Sequence, residues 1–238
     1  MNTSHVECVL RVAGIDIPDA RQLVETYCGV PDAAGRRSHW AYAYFDAVDN
    51  DPDDVAPQDV TACAALHARF SQPALESFIR SRRRLQRILT EIPADLDLSD
   101  ADDRVLARLE AIVAGLAEGD GEYGPALPDA GRALVTKVLH RKRPRLVPMF
   151  DKAIADRYSR ALPDRRAIRG PLFARLIRDD MADADNRVAL AAISASLARS
   201  LADDPVPSDL RLLDITVWMD DHRDRMQEAA AREERSSR

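Results

Sequence analysis

A single aspartate, Asp151, opens a predicted helix in an unusually basic stretch of the chain, residues 127–158. Seven of the cations that lie within twenty residues of it are Arg132, Lys137, Arg141, Lys142, Arg143, Arg145 and Lys152. A carboxylate in such a setting can do acid–base or electrostatic chemistry beside a bound phosphate. It can equally cap a helix and pair with a neighbouring arginine, because structural ion-pair networks are common. The residue types leave both interpretations of Asp151 open.

The lysines of the chain also mark this stretch. Of 34 basic residues only three are lysine, and Lys137, Lys142 and Lys152 all fall between residues 127 and 158. Lysine offers a compact, flexible ammonium, whereas arginine offers a rigid planar fork. We therefore expect this stretch to need point charges, and we predict that its cations, with His140, clamp a phosphate backbone.

Composition excludes several classes of protein. The 238 residues are 46% hydrophobic and 31% charged, which suits a globular protein with a real core. The net charge of −6 disfavours a protein that coats nucleic acid non-specifically, although a local basic surface on an acidic body stays possible. Neither a membrane span nor a secretion signal is visible, and the three cysteines form no Cys-x-x-Cys pair. We expect a cytoplasmic protein without a cofactor or metal.

The elements that must position Asp151 are helices. Apolar residues recur at helical spacing along most of the chain and predict an all-α bundle of about eight to ten helices. We predict a domain over residues 1–225, either continuous or divided into subdomains 1–125 and 126–225 with a cleft, followed by a polar tail, 226–238, that frays. Pro144 must end the helix over 133–143, because proline lacks an N–H and clashes with the preceding turn.

Two further features bear on a site. Residues 36–48 contain Trp40, Tyr42, Tyr44 and Phe45, which form either a hydrophobic anchor or a platform on which a flat ligand stacks. Asp214 lies within an otherwise apolar helix face, so we expect a buried acid bonded to the helix over 133–143. No metal-binding His spacing, phosphate-binding Gly loop or Gly-x-Ser-x-Gly elbow is present.

The stretch 127–158 resembles helix-hairpin-helix base-excision DNA glycosylases. Leu127-Pro128-Asp129-Ala130-Gly131-Arg132 is similar to the Leu-Pro-Gly-x-Gly-Arg hairpin of that family, and Asp151 lies twenty residues beyond Gly131, as the essential aspartate does there. The resemblance implies that Gly131 and nearby N–H groups hold a DNA phosphate. It also implies that Asp151 stabilises cationic sugar character, or activates water, at a flipped-out nucleotide.

This chain departs from the glycosylase pattern at two positions. Asp129 replaces the first hairpin glycine, and Ala133 replaces the lysine that bifunctional members use as a Schiff-base nucleophile. The resemblance therefore implies a single-step glycosylase that uses water. The whole sequence more closely resembles an uncharacterised family of small bacterial proteins, which implies no activity.

The sequence thus favours a glycosylase-like protein that contacts DNA, or another phosphate-bearing ligand, through residues 131–152 and acts through Asp151. The alternative is a non-enzymatic helical module whose basic stretches, 80–87 and 137–145, dock an acidic partner. Whether the protein is an enzyme, and its oligomeric state, are left open.

Overall fold

The computed structural model describes residues 8–38, 40–119, 121–160, 162 and 171–236. These residues form a predominantly α-helical fold, as the sequence predicts, with eleven α-helices and one small hairpin. In chain order the helices are α1 (Ala20–Tyr27), α2 (Tyr42–Phe45), α3 (Pro57–Ala62), α4 (Gln72–Arg80), α5 (Arg82–Leu89), α6 (Asp103–Glu118), α7 (Arg132–Lys142), α8 (Lys152–Arg160), α9 (Pro171–Ala182), α10 (Ala184–Ser200) and α11 (Asp209–Ser236).

The hairpin corrects the expectation of a chain without strands. Strands β1 (Leu10–Val12) and β2 (Ile15–Ile17) pair antiparallel, and Ala13 and Gly14 turn between them with φ of 53° and 76°. A two-residue turn with both φ positive suits the twist of paired strands. Alanine is an unusual residue at such a position, so the sequence carries no clear hairpin signal.

Helix α7 lies at the centre of the fold. Every side chain from Leu134 to Lys142 is buried, and the helix packs against α3 and α6. A helix that is covered all round normally has an apolar sequence. In α7 several of the covered residues are cations, and internal partners must compensate them.

Helix α11 contributes several residues to the candidate active site. It packs against α1, α8 and α10. Ser208 caps its start, because its Oγ accepts a hydrogen bond from Arg211 N at 3.2 Å.

Some helix boundaries differ from the sequence prediction. Apolar residues recur at helical spacing over residues 73–92 and predict one helix, but the structure has two, α4 and α5, which meet at Ser81. The cap of α6 is Asp102, whose carboxylate accepts from Val105 N at 2.8 Å. Among residues 36–38 and 40–48, which the structure describes, the single turn of α2 is the only helical part.

One hydrophobic core extends from Leu10 to Met219. Helix α11 includes residues 226–236, and the fraying of that polar end, like the division at residue 125, stays a prediction. In the described part of the chain no helix is long and apolar enough to cross a membrane.

Candidate active site

A pocket of about 390 Å³ lies between the N-terminal helices and the α7–α8 and α11 segments. Its rim is open to solvent, since Tyr44 is 70% exposed and His67 is exposed. This volume lies within the range of ~300–1,000 Å³ that small-ligand sites occupy. The residues that line it are Tyr27, Trp40, Ala41, Tyr44, Ala65, Leu66, His67, Lys137, Met149, Asp151, Arg211, Asp214, Ile215 and Trp218.

Aromatic rings form one wall of the pocket around Trp218. The Trp40 ring meets Trp218 edge-on, with centroids 5.3 Å apart. The His222 ring stacks on Trp218 at 5.5 Å, and the His67 ring lies nearly parallel to it at 6.4 Å. Packed rings of this kind hold one another in fixed orientations and suit a flat ligand. The aromatic segment is divided between two roles. Tyr42 and Phe45 are buried anchors, while Trp40 and Tyr44 line the pocket, where stacking on a flat ligand stays a prediction.

Asp151 reaches the pocket from the start of α8. Its Oδ1 accepts a hydrogen bond from Ala153 N at 3.1 Å, and its Oδ2 lies 2.8 Å from Lys137 Nζ. Lys137 also donates to the carbonyl of Leu66 at 2.9 Å and is only 3% exposed, whereas Asp151 is 22% exposed. Asp151 therefore caps α8, as the structural interpretation predicts, but its ionic partner is Lys137 and not an arginine. It also lines the pocket, and a chemical role for it stays a prediction.

Helix α7 fixes the segment that ends at Asp151. Thr136 Oγ1 accepts from Phe150 N at 2.9 Å, one residue before Asp151 and beside Lys137. One turn later, His140 Nδ1 lies 2.7 Å from the carbonyl of Val147. Because a carbonyl oxygen only accepts, Nδ1 carries the proton and donates.

His140 is thus a buried positioning residue, which corrects the prediction that it contacts nucleic acid. Burial first, and then the nearby Arg211 charge, lower its pKa to about 4. The imidazole is neutral at physiological pH and adds no charge to the surface.

Arg141 and Lys142 are also buried, and the prediction that they contact nucleic acid is corrected. Arg141 Nε lies 3.0 Å from Asp59 Oδ1, and Lys142 Nζ lies 2.6 Å from Asp59 Oδ2. Arg141 further donates to the carbonyl of Phe45, at the end of α2. Both cations are fully engaged inside the protein, where they attach the pocket segment around α2 to α7.

Arg143 has the same kind of role. Its guanidinium donates to the carbonyls of Leu89 at 2.8 Å and Ile92 at 2.9 Å, at the end of α5, and to that of Pro52 at 2.7 Å. Its buried side chain satisfies carbonyls that a helix end leaves without partners. It too is unavailable to a phosphate, which corrects the prediction for this residue.

The remaining predicted residues lie away from Asp151's carboxylate or pair with acids. Gly131 is exposed at the start of α7, and no atom lies within 4 Å of where its Cβ would be. Arg132 pairs with Glu110 and Glu118 at 2.6 Å each, and Arg145 pairs with Asp97 at 2.5 Å. Lys152 is 83% exposed and pairs with Asp156, one turn along α8.

Asp214 is the second carboxylate of the pocket. It is buried, as predicted, but its partner is Arg211 of its own helix and not α7. Arg211 also bonds Asp46, with Nε to Oδ1 at 2.6 Å and Nη2 to Oδ2 at 3.0 Å. Burial raises the pKa of Asp214 to about 6, with Arg211 opposing the shift and Asp151 adding to it.

Sequence reasoning missed Arg211, Trp218, Tyr27 and His67 as pocket residues. The signal for α11 was available: Arg211, Asp214, Ile215 and Trp218 recur at spacings of three and four on one helix face. For Tyr27 and His67 no local signal exists, because only the tertiary fold brings them to Trp218.

Comparisons with known proteins give a family but no activity. A family model described as a family of unknown function (DUF6308) matches residues 20–221, a range that contains every residue lining the pocket. No curated protein and no solved structure matches the chain. Among the described residues no cluster of three or more His, Cys, Asp or Glu could hold a metal ion.

Proposed function

The chain belongs to this family of unknown function, and from the chemistry of its pocket we propose that it hydrolyses the glycosidic bond between a nucleobase and its sugar in nucleic acid. One observation carries the proposal. The pocket joins an aromatic wall, Trp40 and Trp218, to a carboxylate, Asp151, that a buried ammonium, Lys137, holds in place. Flat heteroaromatic bases stack on such walls, and glycosidic-bond hydrolysis needs a carboxylate beside the sugar.

The chemistry assigned to Asp151 follows from its contacts. Its Lys137 and Ala153 bonds fix the carboxylate at the N-terminal end of α8. A fixed carboxylate of this kind stabilises positive charge on the sugar as the base departs, or takes a proton from the attacking water.

Lys137 is not assigned a covalent role. Its ammonium is 3% exposed and already bonds Asp151 and the Leu66 carbonyl. A Schiff base requires a neutral amine that can reach the sugar. With Ala133 at the position of the family's nucleophilic lysine, the proposed reaction uses water alone.

The base reaches the pocket by leaving its stack, as in enzymes that flip nucleotides. The exposed start of α7 at Gly131 and the exposed Lys152 are the proposed phosphate contacts, since an uncapped helix N-terminus favours an anion. The alternative of an interaction module loses one of its two basic stretches, because residues 137–143 are buried. In the other stretch, 80–87, Arg80, Arg83 and Arg87 are exposed.

A binding experiment tests the proposal. Trp40 and Trp218 are the only two tryptophans of the chain and both line the pocket, so intrinsic fluorescence reports on this site alone. Titration with nucleosides and with short single-stranded oligonucleotides should quench the fluorescence to saturation. The control is N-acetyltryptophanamide, which corrects for absorption of light by the bases. Absence of saturable quenching for every base would contradict the proposal.

A further inference from the structure

The pocket contains two carboxylates, and their surroundings differ. Asp151 is held by an ammonium and a backbone N–H and is 22% exposed. Asp214 is 10% exposed, and only its Oδ2 accepts a hydrogen bond, from Arg211 Nη1. Among the described residues no donor reaches Asp214 Oδ1, so this oxygen is the one left to bond a ligand in the pocket.

Arg211 does not depend on Asp214 for neutralisation. Asp46 already binds the guanidinium through both carboxylate oxygens, at 2.6 and 3.0 Å. Tyr27 Oη accepts a further hydrogen bond from Arg211 Nη2 at 2.6 Å. The Arg211–Asp46 ion pair therefore does not need Asp214. A buried acid that lines a pocket and is not needed to neutralise a cation is a candidate for function.

Several charged and titratable groups face Asp214 from the surrounding elements. They are Arg211 on its own helix, Asp151 before α8, Lys137 on α7, Tyr27 on α1, Tyr158 on α8 and His67 at the pocket wall. Burial has the largest effect on the pKa of Asp214 and raises it, and the Asp151 charge raises it further. Arg211 and Lys137 lower it. Two carboxylates in different surroundings within one pocket are the usual arrangement for an acid and a base.

We propose that Asp214 donates the proton to the departing nucleobase, and that the substrates are bases which leave as neutral species. This inference rests on the proposed function. In the step, the bond between C1′ and the base nitrogen breaks and its electron pair goes to the base. The Asp214 proton transfers to that base. The oxygen of a water molecule bonds C1′ and keeps one of its protons, and the other water proton transfers to Asp151. Asp214 ends ionised and Asp151 protonated, and exchange of protons with solvent restores both.

The inference separates two classes of substrate. A neutral base is a poor leaving group unless a proton reaches it, so its release depends on a general acid. A base made cationic by methylation already carries the charge that the proton would supply. Its release depends on Asp151 and not on Asp214.

The test compares single-turnover base release from oligonucleotides carrying uracil, hypoxanthine or a methylated cationic guanine. Asp214→Asn, which keeps an acceptor for Arg211, should slow release of the neutral bases by about 10²-fold. Release of the cationic base should change far less. Asp214→Glu should restore part of the loss. The wild-type rate on neutral bases should fall as the pH rises through about 6, and Asp214→Asn should lose that dependence.

Asp220→Asn is the matched control, because Asp220 is a buried carboxylate of the same helix that pairs with Arg157 outside the pocket. It should keep both the pH profile and the difference between substrates. If wild type releases neutral bases and Asp214→Asn releases them equally fast, the inference fails while the proposed function stands. If wild type releases no base, the proposed function itself fails. If Asp214→Asn does not fold, Asp214→Ser, which also lacks an acid, takes its place, and release of the neutral bases at the wild-type rate overturns the inference.

Discussion

Lys137 Nζ lies 2.8 Å from Asp151 Oδ2, so the most buried helix of the fold is tied directly to the carboxylate at the start of α8. The ammonium bonds the Leu66 carbonyl as well, which connects the same point to the segment after α3. Three parts of the chain thus meet at one ion pair. This contact explains why residue 137 is a lysine. The ammonium has three donors on a flexible side chain and reaches both the Leu66 carbonyl and Asp151 Oδ2, which the planar guanidinium of an arginine would not.

Replacement of Lys137 by methionine tests that role. The change removes a buried charge and leaves Asp151 with its backbone donor and solvent. We expect a loss of about 1–3 kcal/mol in the free energy of unfolding, because Asp151 is partly solvated and the Leu66 carbonyl loses its donor. Base release should also fall. Lys152→Met, at an exposed position on α8, is the control for stability and should leave the melting temperature close to wild type.

Asp59 should be a strong determinant of stability. It is 1% exposed and balances two buried cations, Arg141 and Lys142. Asp59→Asn leaves those charges without an anion, and we expect a loss of about 3–5 kcal/mol in urea unfolding. Asp16→Asn removes an exposed pair with Arg11 and should not move the midpoint measurably. Equal midpoints for the two variants would disprove the account of the buried network.

His140 should make stability depend on pH. The folded protein keeps it neutral down to about pH 4, whereas the unfolded chain binds a proton below ~6.5. Unfolding therefore takes up a proton in this window, and the free energy of unfolding falls as the pH drops from ~6.5 to ~4, by up to roughly 3 kcal/mol.

Asp214 changes the free energy of unfolding with pH in the opposite direction to His140. Its folded pKa is raised to about 6, so unfolding releases a proton between ~4 and that value, and stability falls as the pH rises. The two effects are separated by His140→Asn, which keeps a donor for the Val147 carbonyl but does not titrate. Urea unfolding of both proteins across this range should show a steeper acid loss for wild type. Parallel curves would show that His140 does not titrate as described.

Gly119 and Gly121 form a matched pair for the turn after α6. Both adopt positive φ, 78° and 87°, but a Cβ on Gly119 would lie 3.0 Å from Ala126 N, whereas one on Gly121 would meet no atom within 4 Å. Gly121→Ala should cost about 1 kcal/mol for the left-handed conformation alone. Gly119→Ala should cost more, about 2 kcal/mol or above, because the Ala126 backbone must shift as well. Thermal or urea unfolding of the two variants measures the difference.

The sequence predicts the helices well where the apolar period and the caps agree. Pro57, Gly119, Pro144 and Ser208 all mark helix ends where they are observed. It fails at Ser81, where one continuous apolar face is divided between α4 and α5. Apolar spacing alone cannot reveal such a break, because the change of direction depends on what the two faces pack against.

The candidate site is predictable only in part. Asp151 and Lys137 come from one local stretch, and the aromatic segment around Trp40 is visible as a cluster. The error concerns charge: a run of cations normally indicates a solvated face, yet Arg141, Lys142 and Arg143 are buried. Their partners, Asp59 and the carbonyls at the ends of α2 and α5, lie 51 to 96 residues away in the chain. No local pattern predicts contacts of that separation.

The most direct test of the central claim is base release by Asp151→Asn. Oligonucleotides carrying deaminated, alkylated or oxidised bases are incubated with wild type, Asp151→Asn and the control Asp220→Asn, and free bases are quantified by mass spectrometry. Wild type and Asp220→Asn should release at least one base, and Asp151→Asn should release it about 10²-fold more slowly or worse, while still quenching tryptophan fluorescence on binding. Release by Asp151→Asn at the wild-type rate, or no release by wild type from any substrate, would contradict the account.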